Sequence, residues 1–401
     1  MAKTSEVSSA QLDWLRREVA GWQSEGLVDA AAAASLLGRY TATRRTTVVR
    51  LVSVLGAAFI GVGLISLVAS NIDELSPGLR FLGIVVVWLG AVVVAEALRR
   101  RVPDHDALGD EPDRSIAVGS ARLVAVAAYG ATIFQAAQSL QVPAYSSGLL
   151  GCWAAGALAY AYACRGIGPL LVGIATLVGW FTWALGERAE NGTAFIVGLL
   201  VASVIATAVA VGHEQVVSSS LRIFGPPWSV AGALLALVAL FGAALPEVGR
   251  EGLVLPAVGV VGAAVGLALA AAAVLRADTQ DRREITAVVA MLVTGFGLAA
   301  WAPEEAAGTL SGGELAHALV GTVVYLAASV WFAVVGAARD RPQLTNLATA
   351  GLVVFVTVQS FGVFAPLLSG AALFLILGVI LIGVGAVAER GRRRLIEEVN
   401  E

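Results

Sequence analysis

Lysine is nearly missing from this chain: Lys3 stands alone among 26 basic residues, and all the others are arginines. A fold without an internal lysine has no Walker A phosphate loop and no Schiff-base or lysine-base chemistry. Charge of either sign is also scarce. Charged residues make up 14% of the chain, against about 25% in an ordinary soluble domain, and a net charge of -3 offers no field for nucleic acid. Cys152 and Cys164 are the only cysteines. They fall on one expected helix, roughly 18 Å apart at the helical rise, which is too far for a disulfide, and no zinc or redox spacing exists. His105, His213 and His317 are too dispersed for a metal cluster or a two-histidine haem site. No His-Glu-x-x-His run and no Gly-x-Ser-x-Gly elbow occur, so no catalytic residue, cofactor or metal is expected.

What the chain has instead is apolar length. Hydrophobic residues are 58% of its 401 residues and the mean hydropathy is +0.83, more apolar surface than a soluble fold of this size can enclose. Runs long enough to cross a bilayer as helices are found at Leu51 to Ser70, Phe81 to Leu98, Leu123 to Leu140, Gly148 to Cys164, Ile167 to Leu185 and Ala194 to Gly212. Six more follow, at Trp228 to Leu245, Leu253 to Leu275, Ile285 to Ala302, Leu315 to Ala338, Leu344 to Gly362 and Leu367 to Ala388. The expected fold is an all-α polytopic membrane bundle of about twelve helices. The first run begins too late for a cleavable signal peptide.

Arginine placement sets the expected orientation, because basic residues of short loops stay on the cytoplasmic side. With the N-terminus inside, every basic residue except Arg80, Arg188 and Arg250 falls on that side, including Arg165, Arg222, Arg276, Arg282, Arg283, Arg339, Arg341 and the Arg390 to Arg394 cluster. The outer loops carry Asp73 with Glu74, Glu187 with Glu190, Glu247 with Glu251, and Glu304 with Glu305. Both termini are therefore expected in the cytoplasm.

Three regions are expected. Residues 1–48 read as a cytoplasmic amphipathic helical hairpin, Ser9 to Gln23 and Asp29 to Tyr40, punctuated by Gly26. Its stripe of Leu12, Leu15, Val19 and Trp22 follows helical spacing and is too large for so short a piece to bury alone. Trp14, Trp22 and Leu27 are its candidate partner-binding residues. Residues 49–186 form a first membrane region of five helices, and residues 187–401 a second of seven with a short basic tail. The loop from Arg99 to Arg122, with Pro103, Asp104, Asp106, Asp110, Pro112 and Asp113, reads as a solvated linker.

The N-terminal half carries a resemblance. Trp22-Gln-Ser-Glu-Gly26-Leu27-Val28 precedes an alanine-rich helix ending Gly38-Arg39-Tyr40, and the first apolar run contains Gly61-Val-Gly-Leu-Ile-Ser-Leu-Val-Ala69-Ser70-Asn71. The third run contains Gly130-Ala-Thr-Ile-Phe-Gln135-Ala-Ala-Gln138. Together these resemble the DUF2157 family, uncharacterised bacterial multi-pass membrane proteins, over about residues 10 to 185. Gln138 falls on the family's glutamine, whereas Ile72 stands where a tryptophan usually follows the asparagine. The family brings no activity with it, so the resemblance implies topology and a bacterial plasma (inner) membrane location.

Polar groups inside a bilayer are costly and therefore informative. Gln135 and Gln138, with Tyr129 on the same expected helix, and Gln359, with Ser360 and Asn346, form the candidate intramembrane polar site. Their amides serve either as bonds between helices or as the lining of a solute path. Glu96 is expected to pair with Arg99 and Arg100 one turn on. Without a mid-membrane carboxylate pair, intramembrane aspartyl proteolysis and ion-driven pumping are not expected. Two functions lead, ahead of a membrane enzyme of unrecognised type. One is a permease for an uncharged or amphiphilic solute or lipid. The other is a non-catalytic membrane scaffold or envelope-complex subunit that binds a cytoplasmic protein partner through residues 1–48.

Overall fold

The computed structural model describes residues 5–7, 9–24, 26–42, 77–101, 116–143, 145–215, 219–245, 257–303 and 311–359, with isolated positions between 52 and 63 and at 383. The first and twelfth apolar runs, the linker at 102–115, His105, Ser360 and the arginine-rich tail lie outside these stretches. Helices occupy the other ten runs. They form because apolar segments satisfy every backbone group internally, which is what a bilayer demands. Described residues up to Val142 make one compact unit and those from Pro143 onward make a second.

In the first unit, α1 (Ser9–Ser24) and α2 (Ala30–Leu37) pair as the expected hairpin. Asp29 caps α2 by accepting from the Ala32 N–H at 2.7 Å. Gly26 makes the turn at φ 75, a left-handed conformation that costs glycine nothing. A parallel pair of three-residue strands, β1 (Ser5–Val7) and β2 (Tyr40–Ala42), sets Ser5 opposite Tyr40. Segments this short show no alternating pattern, and the sequence did not announce them. Two long helices follow, α3 (Pro77–Arg101) and α4 (Ile116–Ser139), which pack on each other. Leu82, Val86, Val93 and Val94 of α3 are exposed, as a lipid-facing surface requires.

The second unit holds α5 (Ser147–Cys164), α6 (Ile167–Arg188), α7 (Gly192–Gln215), the single turn α8 (Ser219–Arg222), α9 (Gly225–Ala243), α10 (Ala257–Arg276), α11 (Thr279–Ala300), α12 (Gly312–Ala338) and α13 (Pro342–Gln359). Its axis is α7, which packs against α6, α9, α10 and α11 and buries residues all round its circumference. The core between these helices is apolar, built on residues such as Leu199, Leu200, Val204, Leu237, Leu240 and Phe355. Close approach of α9 to α7 depends on Gly232. A Cβ there would meet Thr207 Oγ1 at 2.7 Å and the Ser203 carbonyl at 3.2 Å. Gly262 and Gly266 of α10 face Val201 and Ile205 of α7, the small-residue contact expected where lipid supplies no hydrophobic drive.

Eight of these helices, α3, α4, α5, α6, α7, α9, α11 and α12, have the length and composition to cross a membrane, and α10 adds a shorter apolar helix. Among the described residues the chain is a helical membrane bundle with one short strand pair.

Candidate functional site

The residues singled out from the sequence are divided between the two units. Gln135 is buried on α4, whereas Gln138, the residue before the last of that helix, is exposed. Tyr129 packs on Trp88 of α3 with ring centroids 5.1 Å apart. Gln359 belongs to the second unit, at the end of α13. It is 2% exposed, and its Nε2 has no hydrogen-bond partner among the described residues. Asn346 is exposed. On the hairpin Leu27 is 70% exposed and Trp22 is half-buried. The Trp14 side chain lies outside the described residues.

The structure adds a partner for Glu96 and corrects the placement of Arg122. Glu96 finds its bidentate partner on the neighbouring helix: Arg122 Nε donates to Glu96 Oε1 at 3.1 Å and Nη2 to Oε2 at 3.2 Å. Arg122 is also no loop residue. Helix α4 starts at Ile116, so Arg122 sits inside it and is 1% exposed. A planar guanidinium facing a carboxylate across a helix contact makes two parallel bonds, a partner that local spacing does not announce.

A larger charged group lies where the sequence showed only loop arginines, at the end of the second unit that the arginine count assigns to the cytoplasm. Glu214 is next to the last residue of α7. Asp281 and Glu284 sit i, i+3 apart at the start of α11, on one face, with Asp278 capping that helix. The turn between α12 and α13 supplies Arg339 and Arg341. Asp340 takes φ 53, and the bonds from the Arg341 N–H to the Gly336 carbonyl (2.7 Å) and from the Asp340 N–H to the Ala337 carbonyl close a Schellman cap. Pro342, with its preset φ, then starts α13.

Arg339 donates to two of the three carboxylates, Nη1 to Glu214 and Nη2 to Asp281 at 2.5 Å, and its Nε lies in ion-pair contact with Glu284. Arg341 Nη2 reaches the second oxygen of Glu214 at 2.5 Å. Both guanidiniums are 11% exposed. Burial works against the Arg339 charge. The hydrogen bond to Asp281 and the charges of Glu284, Glu214 and Asp281 outweigh it and hold the guanidinium pKa above its ordinary value. Gly225 makes the room, since a Cβ there would come within 2.8 Å of the Glu214 Cγ and Oε1.

The residue beside Glu214 continues the polar end. His213 Nδ1 lies 2.7 Å from the Val209 carbonyl, which only accepts, so the proton is assigned to Nδ1. Nε2 then accepts from the Tyr162 hydroxyl at 2.9 Å, and Trp228 Nε1 donates to that hydroxyl at 3.3 Å. At the opposite end, His317 is 1% exposed, bonds the Leu298 carbonyl at 3.0 Å and packs against Trp301, while Ser311 and Glu314 form a capping box for α12.

Sequence reasoning missed this ion-pair group because its members are far apart in the chain and each looks like an ordinary loop charge. One signal was available: Glu214, Asp281 and Glu284 are acidic residues at an end otherwise marked by arginine, and Glu284 immediately precedes the apolar run that opens at Ile285. Among the described residues no group of three His, Cys, Asp or Glu side chains is arranged to hold a metal ion.

Apolar helices of spanning length with lipid-type exposed faces define a multi-pass membrane protein. Residues 20–170 match the family described as predicted membrane protein (DUF2157), in agreement with the resemblance read from the sequence. No curated protein and no solved structure matches the chain.

Proposed function

We propose that the chain is a permease for an uncharged or amphiphilic solute or lipid, set in a bacterial plasma membrane with both termini in the cytoplasm, and that the Arg339 network closes its inner end. One observation carries this: buried ion pairs tie the ends of α7, α11 and α12 together. For stability alone, apolar residues of similar volume do as well or better, because taking charges out of water is expensive. An ion-pair network suits a contact that must form and break as a unit. The substrate class follows from the interior, where the buried polar groups at mid-helix are hydroxyls, Ser203 and Thr207 on α7 and Tyr325 and Ser329 on α12. None of these selects a charge.

The test uses purified protein in phospholipid vesicles, with glycerol entry followed by light scattering and transbilayer movement of a fluorescent phospholipid followed by quenching. One of these rates should exceed that of protein-free vesicles, and Arg339→Met should raise it further by loosening the inner end. If wild type and Arg339→Met both match empty vesicles in both assays, the permease reading fails. The scaffold alternative has one observation in its favour, the exposed Leu27 at the tip of the hairpin, a place for a protein partner to dock.

A further inference from the structure

The five charged groups at the arginine-rich end do not balance: three carboxylates face two guanidiniums. The bonds are also unevenly shared. Glu214 receives both arginines, one on each oxygen. Asp281 receives a well-directed Arg339 Nη2 and lies in the first turn of α11, where the positive end of the helix dipole favours an anion. Glu284 is one turn deeper, 6% exposed, and has only Arg339 Nε beside it. That contact lacks hydrogen-bond geometry: Glu284 Oε1 and Arg339 Nε are both buried without a hydrogen-bond partner among the described residues.

Among the described residues, Arg339 and Arg341 are the positive charges that act on Glu284. On α11 itself Asp278, Arg282 and Arg283 are exposed, and Arg282 is turned to the Val274 and Ala277 carbonyls at the end of α10. That helix brings only Arg276, at its last position. On α7 the neighbour of Glu214 is His213, whose two nitrogens are engaged by the Val209 carbonyl and the Tyr162 hydroxyl. Helices α9 and α13 carry no charged residue, and α12 has Glu314 and His317 at its far end. Asp340, between the two arginines, is exposed.

We propose that Glu284 is a proton-binding site: it takes one proton from water at neutral pH, which leaves the network of Glu214, Asp281, Arg339 and Arg341 electrically neutral. A buried carboxylate without its own counter-charge is far costlier than the acid. The proton adds to a carboxylate oxygen and no other bond changes. The site would make the closure of the arginine-rich end dependent on pH, and it stands whether or not the chain moves a solute.

The sign of the linkage is fixed. A glutamate that keeps its proton when folded, but titrates near its ordinary value of about 4.3 when unfolded, gives the native state an extra proton. Stability then falls as pH rises, by up to about tenfold in the folding equilibrium per pH unit, until the native carboxyl has ionised. Two measurements on the full chain in detergent test this. Infrared spectra of wild type at neutral pH should show the C=O stretch of a protonated carboxyl, lost in Glu284→Gln and retained in Glu314→Gln, a buried carboxyl at the far end of α12 and outside the network. Thermal unfolding of wild type should weaken from mildly acidic to mildly alkaline pH, while Glu284→Gln, a neutral isostere, folds normally and loses that slope. A wild type without the band, or a Glu284→Gln that fails to fold or melts as early as Glu214→Gln at neutral pH, overturns the proposal.

Discussion

Replacing Arg339 with methionine removes the centre of the network and little volume. The variant leaves Asp281 and Glu284 without the guanidinium that faces them and Glu214 with Arg341 alone. Removing one partner of a buried ion pair costs about 3–5 kcal/mol, because the other charge stays behind uncompensated. Solvent screening softens this little, since Asp281 and Glu284 are each 6% exposed. At roughly 2 °C per kcal/mol for a body of this size, the melting temperature in detergent should fall by about 6–10 °C. Arg341→Met is the internal comparison. It removes one bond, to a Glu214 that Arg339 still holds, and should cost about 1.5–3 kcal/mol, the range for a hydrogen bond to a charged group. Adding Asp281→Asn to Arg339→Met should recover part of the loss, because it deletes the abandoned charge. If Arg341→Met is as damaging as Arg339→Met, or if Asp281→Asn makes matters worse, the network is not organised around Arg339.

Other outcomes follow from the same coordinates. Arg122→Leu strips Glu96 of its bidentate partner in the first unit, and because the Glu96 side chain is 37% exposed and water can reach it, the loss by thermal unfolding should be about 1–2 kcal/mol, less than for Arg339→Met. Gly336→Ala places a Cβ 2.8 Å from the Thr345 backbone N–H, so the α12–α13 turn must shift, with a loss of about 1–3 kcal/mol. Gln359→Leu removes a buried amide whose Nε2 is unpartnered and should leave the melting temperature level or raised; a clear drop would mean that this amide is bonded. Reporter fusions after Asp106, Thr279 and Ile396 should report cytoplasm, and those after Glu74, Glu190 and Glu305 the exterior. A single reversed site would break the topology.

The helices were legible because a bilayer leaves few choices: an apolar run of spanning length must be helical whatever it packs against. Ten runs are therefore found where the sequence placed them. The α1–α2 hairpin was legible for another reason, as Gly26 and the Asp29 cap are local signals. The inter-helix chemistry was not legible. Arg122 looked like the last residue of a loop and became the buried partner of Glu96, because which helix packs on α3 is a tertiary fact that no local spacing encodes. The same holds for Glu214, Asp281 and Arg339, each unremarkable alone. The glutamines show the reverse limit. Gln135 and Gln138 share a helix face by spacing, yet one is buried and the other exposed, because a helix end emerges from its contact with α3 even where its face does not change.

The account stands or falls on whether the Arg339 network closes the interior from the arginine-rich end. Cys152 and Cys164 form no disulfide, so each is replaced with serine, and Ser203→Cys then puts a single thiol on the buried face of α7, where Ser203 is 1% exposed. Inside-out vesicles are exposed to a membrane-impermeant thiol reagent with Arg339 present and with Arg339→Met. Labelling of the thiol only in the Arg339→Met background is the predicted result. Equal protection in both backgrounds, or equal labelling in both, contradicts it.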